Sequence, residues 1–201
     1  LNKEQNELIV QSLAGYIRKL YWESLANEQQ LSCQNKLEEF SYAYLKSVRE
    51  SNKKKIVFGL FTSIAYTDQA KERLYDIWNK TTVIEGLKLN ENDYERIAML
   101  LSLYQHSKAI EVLNHTLDET KNPDKKSRLE FLMPALSNDA TVRDAFMQSL
   151  KEEKNRGHAT WMIAALSFMN HPLRQESAQK NLKLCLDLLE EVLLEQQRQC
   201  E

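Results

Sequence analysis

Four histidines, three cysteines and a scatter of arginines are the residues here whose types can do chemistry. A zinc hydrolase of the thermolysin-like kind sets two histidines four apart on one helix with a glutamate between them, H-E-x-x-H, so that both imidazoles reach one metal ion and the glutamate acts on its water. His106, His115, His158 and His171 contain no such pair. His171 precedes Pro172 at a helix start, which fits a capping or turn role, and His106 and His158 also fall near helix boundaries. Cys33, Cys185 and Cys200 show no C-x-x-C spacing and are odd in number, so they build no closed disulfide framework. Cys33 and Cys185 sit on apolar-striped helices, where burial is the expected role. No nucleophile elbow, phosphate loop or dinucleotide fingerprint is present, and four isolated glycines do not supply one. No catalytic residue and no metal site is expected in the chain.

The elements that hold these residues are helical. Four Gly and three Pro are too few for the turns of a sandwich, barrel or doubly wound sheet. Leu, Glu, Lys, Gln and Ala dominate, all good helix formers, and apolar positions recur at three and four almost throughout. The net charge of −2 gives no electrostatic reason to expect nucleic acid or an anionic membrane surface, and no apolar run approaches the ~20 residues of a membrane span. The chain starts at Leu1 without Met, and 1–201 is read as a single helical-repeat domain, a fragment of a longer chain.

The apolar stripe predicts a first helix from Leu8 to Leu25, ended by Asn27, and a second from about Leu31 to Val48. Lys53-Lys54-Lys55 reads as a solvated connection before a third helix, Ile56 to Tyr66. Thr67 or Asp68 caps the fourth; 79–90, with Gly86, is a loop; and Asn90 opens the next helix with Asp93 at its third position. Asn122-Pro123, Ser137-Asn138-Asp139, Asn155-Arg156-Gly157 and Asn170-His171-Pro172 punctuate the rest. Pro134 should kink or end its helix near Met133. The last helix runs from Leu173 to about Gln197, and Trp22, Trp78 and Trp161 belong to apolar faces as core packing. Asp139 to Leu150 has the form of a HEAT-repeat second helix, with Val142, Ala145, Phe146 and Leu150 facing neighbours and Arg143 bonding an adjacent repeat. The fold expected is all-α, a HEAT/armadillo-like α-α superhelix of about ten helices, whose concave side is the default binding surface.

Five strings carry a family likeness: Leu74-Tyr75-Asp76-Ile77-Trp78; Gly86-Leu87-Lys88-Leu89 with Asn92-Asp93-Tyr94; Asn122-Pro123-Asp124 through Pro134-Ala135-Leu136-Ser137; Val142-Arg143-Asp144-Ala145-Phe146 with Ser149-Leu150; and Asn170-His171-Pro172-Leu173-Arg174 before a Leu-rich helix. In this order they resemble the C-terminal helical domain of bacterial zinc aminopeptidases of the aminopeptidase N family, over nearly the whole chain. Asn170 stands where the fifth string often has a second His, and the family's short apolar-aromatic tail does not follow the last helix. The resemblance implies a parent that removes residues from peptide N-termini, with zinc bound by an upstream catalytic domain and none in this segment. It implies that this domain closes the active-site chamber against that domain and helps to admit and hold peptide substrates. Arg128, Arg143, Arg156 and Arg174 lie in or between the matched strings. An Arg on the concave face can pair with a peptide's C-terminal carboxylate; in helical repeats it also bridges helices or binds helix-end carbonyls. The other reading is a free-standing helical-repeat scaffold that binds protein partners.

Overall fold

The computed structural model describes residues 1 and 3–199, the last eleven of these by backbone alone; Cys200 lies outside them. Among the described residues ten α-helices form and no strand does. They are α1 (Glu7–Lys19), α2 (Asn27–Ser47), α3 (Ser51–Ile64), α4 (Asp68–Trp78), α5 (Glu91–Leu103), α6 (Ala109–Glu119), α7 (Pro123–Leu136), α8 (Ala140–Ser149), α9 (Ala159–Met169) and α10 (Gln175–Gln199). None of the described helices is long and apolar enough to cross a membrane. The chain divides into two compact units, Leu1–Ala109 and Ile110–Glu201.

Side-chain caps open five of the ten helices. Asn6, Thr67, Asn90, Asn122 and Asp139 each accept a backbone N–H of the turn they open. Asn90 and Asp93 form a reciprocal capping box. Pro123 follows Asn122 at the first helical position, where a missing N–H is harmless. Gly86 has φ +72°, which glycine adopts at little cost in the loop before α5.

In the first unit α3 is central, packed against α1, α2 and α5, while α4 packs on α5. Leu45, Phe61, Ile64, Leu74, Ile97 and Leu101 are fully buried in its core. α1 passes into a π-helical turn, Leu20–Ser24, before Asn27 starts α2 rather than ending the first helix. That turn places Tyr21 and Trp22 together, 4.8 Å between rings, and the Trp22 indole donates to Ser63 O at 2.7 Å. The Tyr21 hydroxyl is buried without a hydrogen-bond partner among the described residues. Burial first, and then the nearby Glu38 carboxylate, raise its pKa.

The three-lysine stretch is not a solvated connection. α3 begins before it, and Lys53 and Lys54 are each 4% exposed. Their apolar stems lie along the protein while their ammonium groups reach other segments. Lys54 donates to Glu85 O at 2.5 Å, Lys55 to Lys88 O at 3.3 Å and to the Asp93 carboxylate. Main-chain carbonyls of the 79–90 loop thus obtain donors that no helix or sheet offers them.

In the second unit α7 packs on α8 and α9, and α10 on α8 and α9. Leu129, Leu132, Leu136, Met147, Met162 and Ala165 form its core. Pro134 lies within α7, which runs on two residues past it in its last turn rather than stopping at Met133. α8 differs from the repeat-like expectation. Val142 is 41% exposed and Ala145 is exposed, whereas Arg143, Met147 and Leu150 are buried, so the inward face is rotated onto the arginine. Phe146 is half-buried and meets Phe131 edge-on at 5.3 Å.

Candidate functional site: a guanidinium centre at helix ends

All four candidate arginines lie in the second unit. The structure brings Arg143 and Arg174 together and holds Arg156 elsewhere; Arg128 sits half-buried on α7. An α-helix ends with carbonyls that have no partner inside the helix and carry the negative end of its dipole. At the end of α7 two arginines meet that need. Arg174 Nη1 donates to Ala135 O at 2.5 Å and Phe168 O at 3.4 Å, and its Nη2 to Leu136 O at 2.8 Å and Ser137 O at 3.3 Å. Arg143 Nη1 donates to the same Ser137 O at 2.7 Å, and its Nη2 to Ser177 Oγ at 3.1 Å. The Ser177 hydroxyl in turn donates to Arg174 O at 3.0 Å. Arg156 repeats the device at the end of α8, donating to Leu150 O and Lys151 O, both at 3.0 Å.

Arg143, Arg156 and Arg174 are each under 10% exposed. Burial, and then the like charge of Arg143, lower the Arg174 pKa to about 10, which leaves it cationic at neutral pH. The same two causes act on the neighbouring histidine: burial, then Arg174, bring His171 down to about 4. His171 is therefore a neutral imidazole at neutral pH. Its Nδ1 accepts Leu173 N–H at 3.3 Å, as a cap of the short turn Pro172–Arg174.

Around this centre Asn181 donates to Asp144 Oδ1 at 2.7 Å, and Asn170 to Leu166 O at 2.9 Å and to Cys185 Sγ at 3.5 Å. A cavity of about 10 Å³ remains among Arg143, Asp144, Asn170, Ser177, Asn181 and Cys185. That is room for one water and not for a substrate side chain. Ser177 is occupied between a guanidinium and a carbonyl, and Cys185 lies against an amide, so the arrangement offers no activated nucleophile. Its chemistry is that of a clamp that ties α8 to the end of α7 through main-chain carbonyls and α8 to α10 through the Ser177 hydroxyl and the Asn181 amide. Sequence reading missed Ser177 and Asn181 as members; they join only when α10 folds back on α8.

Of the remaining histidines, His106 and His158 each lie against an aromatic ring. His106 is 5% exposed, its Nε2 3.2 Å from Glu72 Oε1, its Nδ1 accepting Lys108 N–H and its ring stacked on Tyr75 at 5.0 Å. His158 stacks on Trp161 at 3.9 Å. Among the described residues no three His, Cys, Asp or Glu side chains gather as a set able to hold a metal ion. Comparison with protein-family models, with curated proteins and with solved structures gave no match.

Proposed function

We propose that this chain is the non-catalytic C-terminal domain of a zinc aminopeptidase of the aminopeptidase N family. It closes the active-site chamber against an upstream zinc-bearing catalytic domain and helps to admit and hold peptide substrates. The observation that carries this reading is the ordered set of sequence strings from Leu74 to Arg174. Support comes from what the string residues do. Asn122 and His171 open helical turns, and Arg143 and Arg174 clamp the end of α7, so the strings mark structural joints of a helical wall. The helices within each unit are read as stretches of a HEAT/armadillo-like stack, in which each pair buries the apolar face of the next.

Assay of the isolated chain on aminoacyl reporter substrates, with and without added zinc, tests the non-catalytic part. Background hydrolysis in both conditions is expected, and zinc-dependent turnover by the chain alone overturns it. A free-standing scaffold for protein partners is the second reading, favoured by exposed apolar residues along α1 and at the turn that follows it, where Ile9, Leu13, Tyr16 and Leu20 are each at least 36% exposed.

A further inference from the structure

An α-helix turns about 100° per residue, so the residues of α10 sort onto faces by number. One face packs on α8 and α9, and along it Asn181, Cys185 and Leu188 are buried. A second apolar face is left open. Leu182 is 53% exposed and Leu186 58%, about a quarter-turn round the helix from the buried face. The helix continues to Gln199, and the same register carries Leu189 and then Leu193 along that line. Leucines at 182, 186, 189 and 193 are spaced four, three and four apart, the spacing of a coiled-coil seam. A single exposed leucine is ordinary on a helix surface; four at this spacing are the pattern that a second helix covers.

The charges beside the seam select which helix. Lys183 and Glu190 hold the same flanking position seven residues apart, on the side turned away from α8 and α9. The other flank, toward the unit, carries Cys185 and Val192 and no charge. A second copy of α10 laid antiparallel along the seam sets Leu186 against the partner's Leu189 and Leu182 against the partner's Leu193. Lys183 then comes opposite the partner's Glu190, and the two-fold axis repeats the pair. Laid parallel, Lys183 comes opposite Ala178 and Glu190 opposite Cys185, and no opposite charges meet.

We infer that two copies of this chain pair through α10, antiparallel along the seam at 182–193, with reciprocal ion pairs between Lys183 and the partner's Glu190. The contact is self-complementary, as a two-fold dimer requires. It is also small, so the dimer is weak and depends on concentration. It does not rest on the proposed function.

Sedimentation equilibrium of the 201-residue chain, run up to about 1 mM, reads the dimer fraction. Leu186→Gln weakens dimerisation at least roughly ten-fold. It keeps the helical circular dichroism of the folded chain, since Leu186 is exposed. Lys183→Glu and Glu190→Lys each weaken it roughly ten-fold, because two attractions become two repulsions. The two single variants mixed in equal amounts regain the affinity of the unsubstituted chain, and so does the double variant K183E/E190K, since opposite charges meet again in both. A chain that is monomeric throughout overturns the inference and leaves the seam to a different helix. Association untouched by Leu186→Gln, or charge effects that neither mixing nor the double variant reverses, overturns it as well. These readouts need neither zinc nor peptidase activity, so an upstream region without a metallopeptidase sequence would defeat the proposed function and leave them standing.

Discussion

Arg174 and Arg143 place two positive charges in one small volume, with their mapped donors on carbonyls and a hydroxyl. The negative end of α7 offsets part of that repulsion, and each guanidinium satisfies main-chain acceptors that burial would otherwise strand. Arg174→Ala removes the Arg174 donors to Ala135 O and Leu136 O, and one of the two that reach Ser137 O, which keeps Arg143. We expect it to cost about 3 kcal/mol of unfolding free energy by urea denaturation, with Arg174→Lys between the two. His171 yields a pH prediction. Its folded pKa of about 4 lies below the ordinary value of 6.5, so the unfolded chain binds the proton more readily. The stability it contributes is fully present above pH 6.5 and is lost as pH falls toward 4. His171→Asn should flatten the urea midpoint across that window; an unchanged slope would show that the imidazole is not the group responsible. At this scale the caps were legible in sequence, because Asn122 and His171 act on N–H groups two or three residues away. The partners of Arg143 and Arg174 were not, because Arg174 reaches back to carbonyls 37 to 39 residues away.

Helix existence was legible throughout from the period of the apolar positions, whereas helix ends and faces were less so. α3 starts about a turn earlier than its apolar run because Lys53 and Lys54 bury their stems, and a charge run reads as solvent from sequence alone. α8 turns its arginine inward because the end of α7 needs donors, which outweighs the apolar preference of Val142. A joint of the same kind holds α2 to the junction of α3 and α4. Glu38 is 2% exposed and accepts Tyr66 N–H at 2.8 Å, Thr67 N–H at 2.9 Å and the Thr67 hydroxyl. It thereby takes donors at the start of α4 that lack partners within the helix. Glu38→Ala should destabilise the chain by about 2–3 kcal/mol and Glu38→Gln by less, since the amide oxygen still accepts. Thermal unfolding of both variants orders them; equal losses would place the effect in packing rather than in the bonds to Tyr66 and Thr67.

For the whole molecule, scarce Gly and Pro and the helical period specified an all-helical chain, and among the described residues that is what forms. The division at Ala109 and Ile110 was not legible, because it falls near the start of α6 without a run of linker residues. The candidate site was legible as a set of arginines with helix-end carbonyls among their expected partners; which ends they meet was not. Under the proposed function the helices and their clamps would form one wall of a chamber, with the zinc chemistry in another part of the same polypeptide. Sequencing the reading frame that leads into Leu1 tests this most directly. The account predicts an H-E-x-x-H helix, followed by a further glutamate ligand, in frame upstream. An initiating methionine just before Leu1, or an upstream domain without that motif, would contradict it.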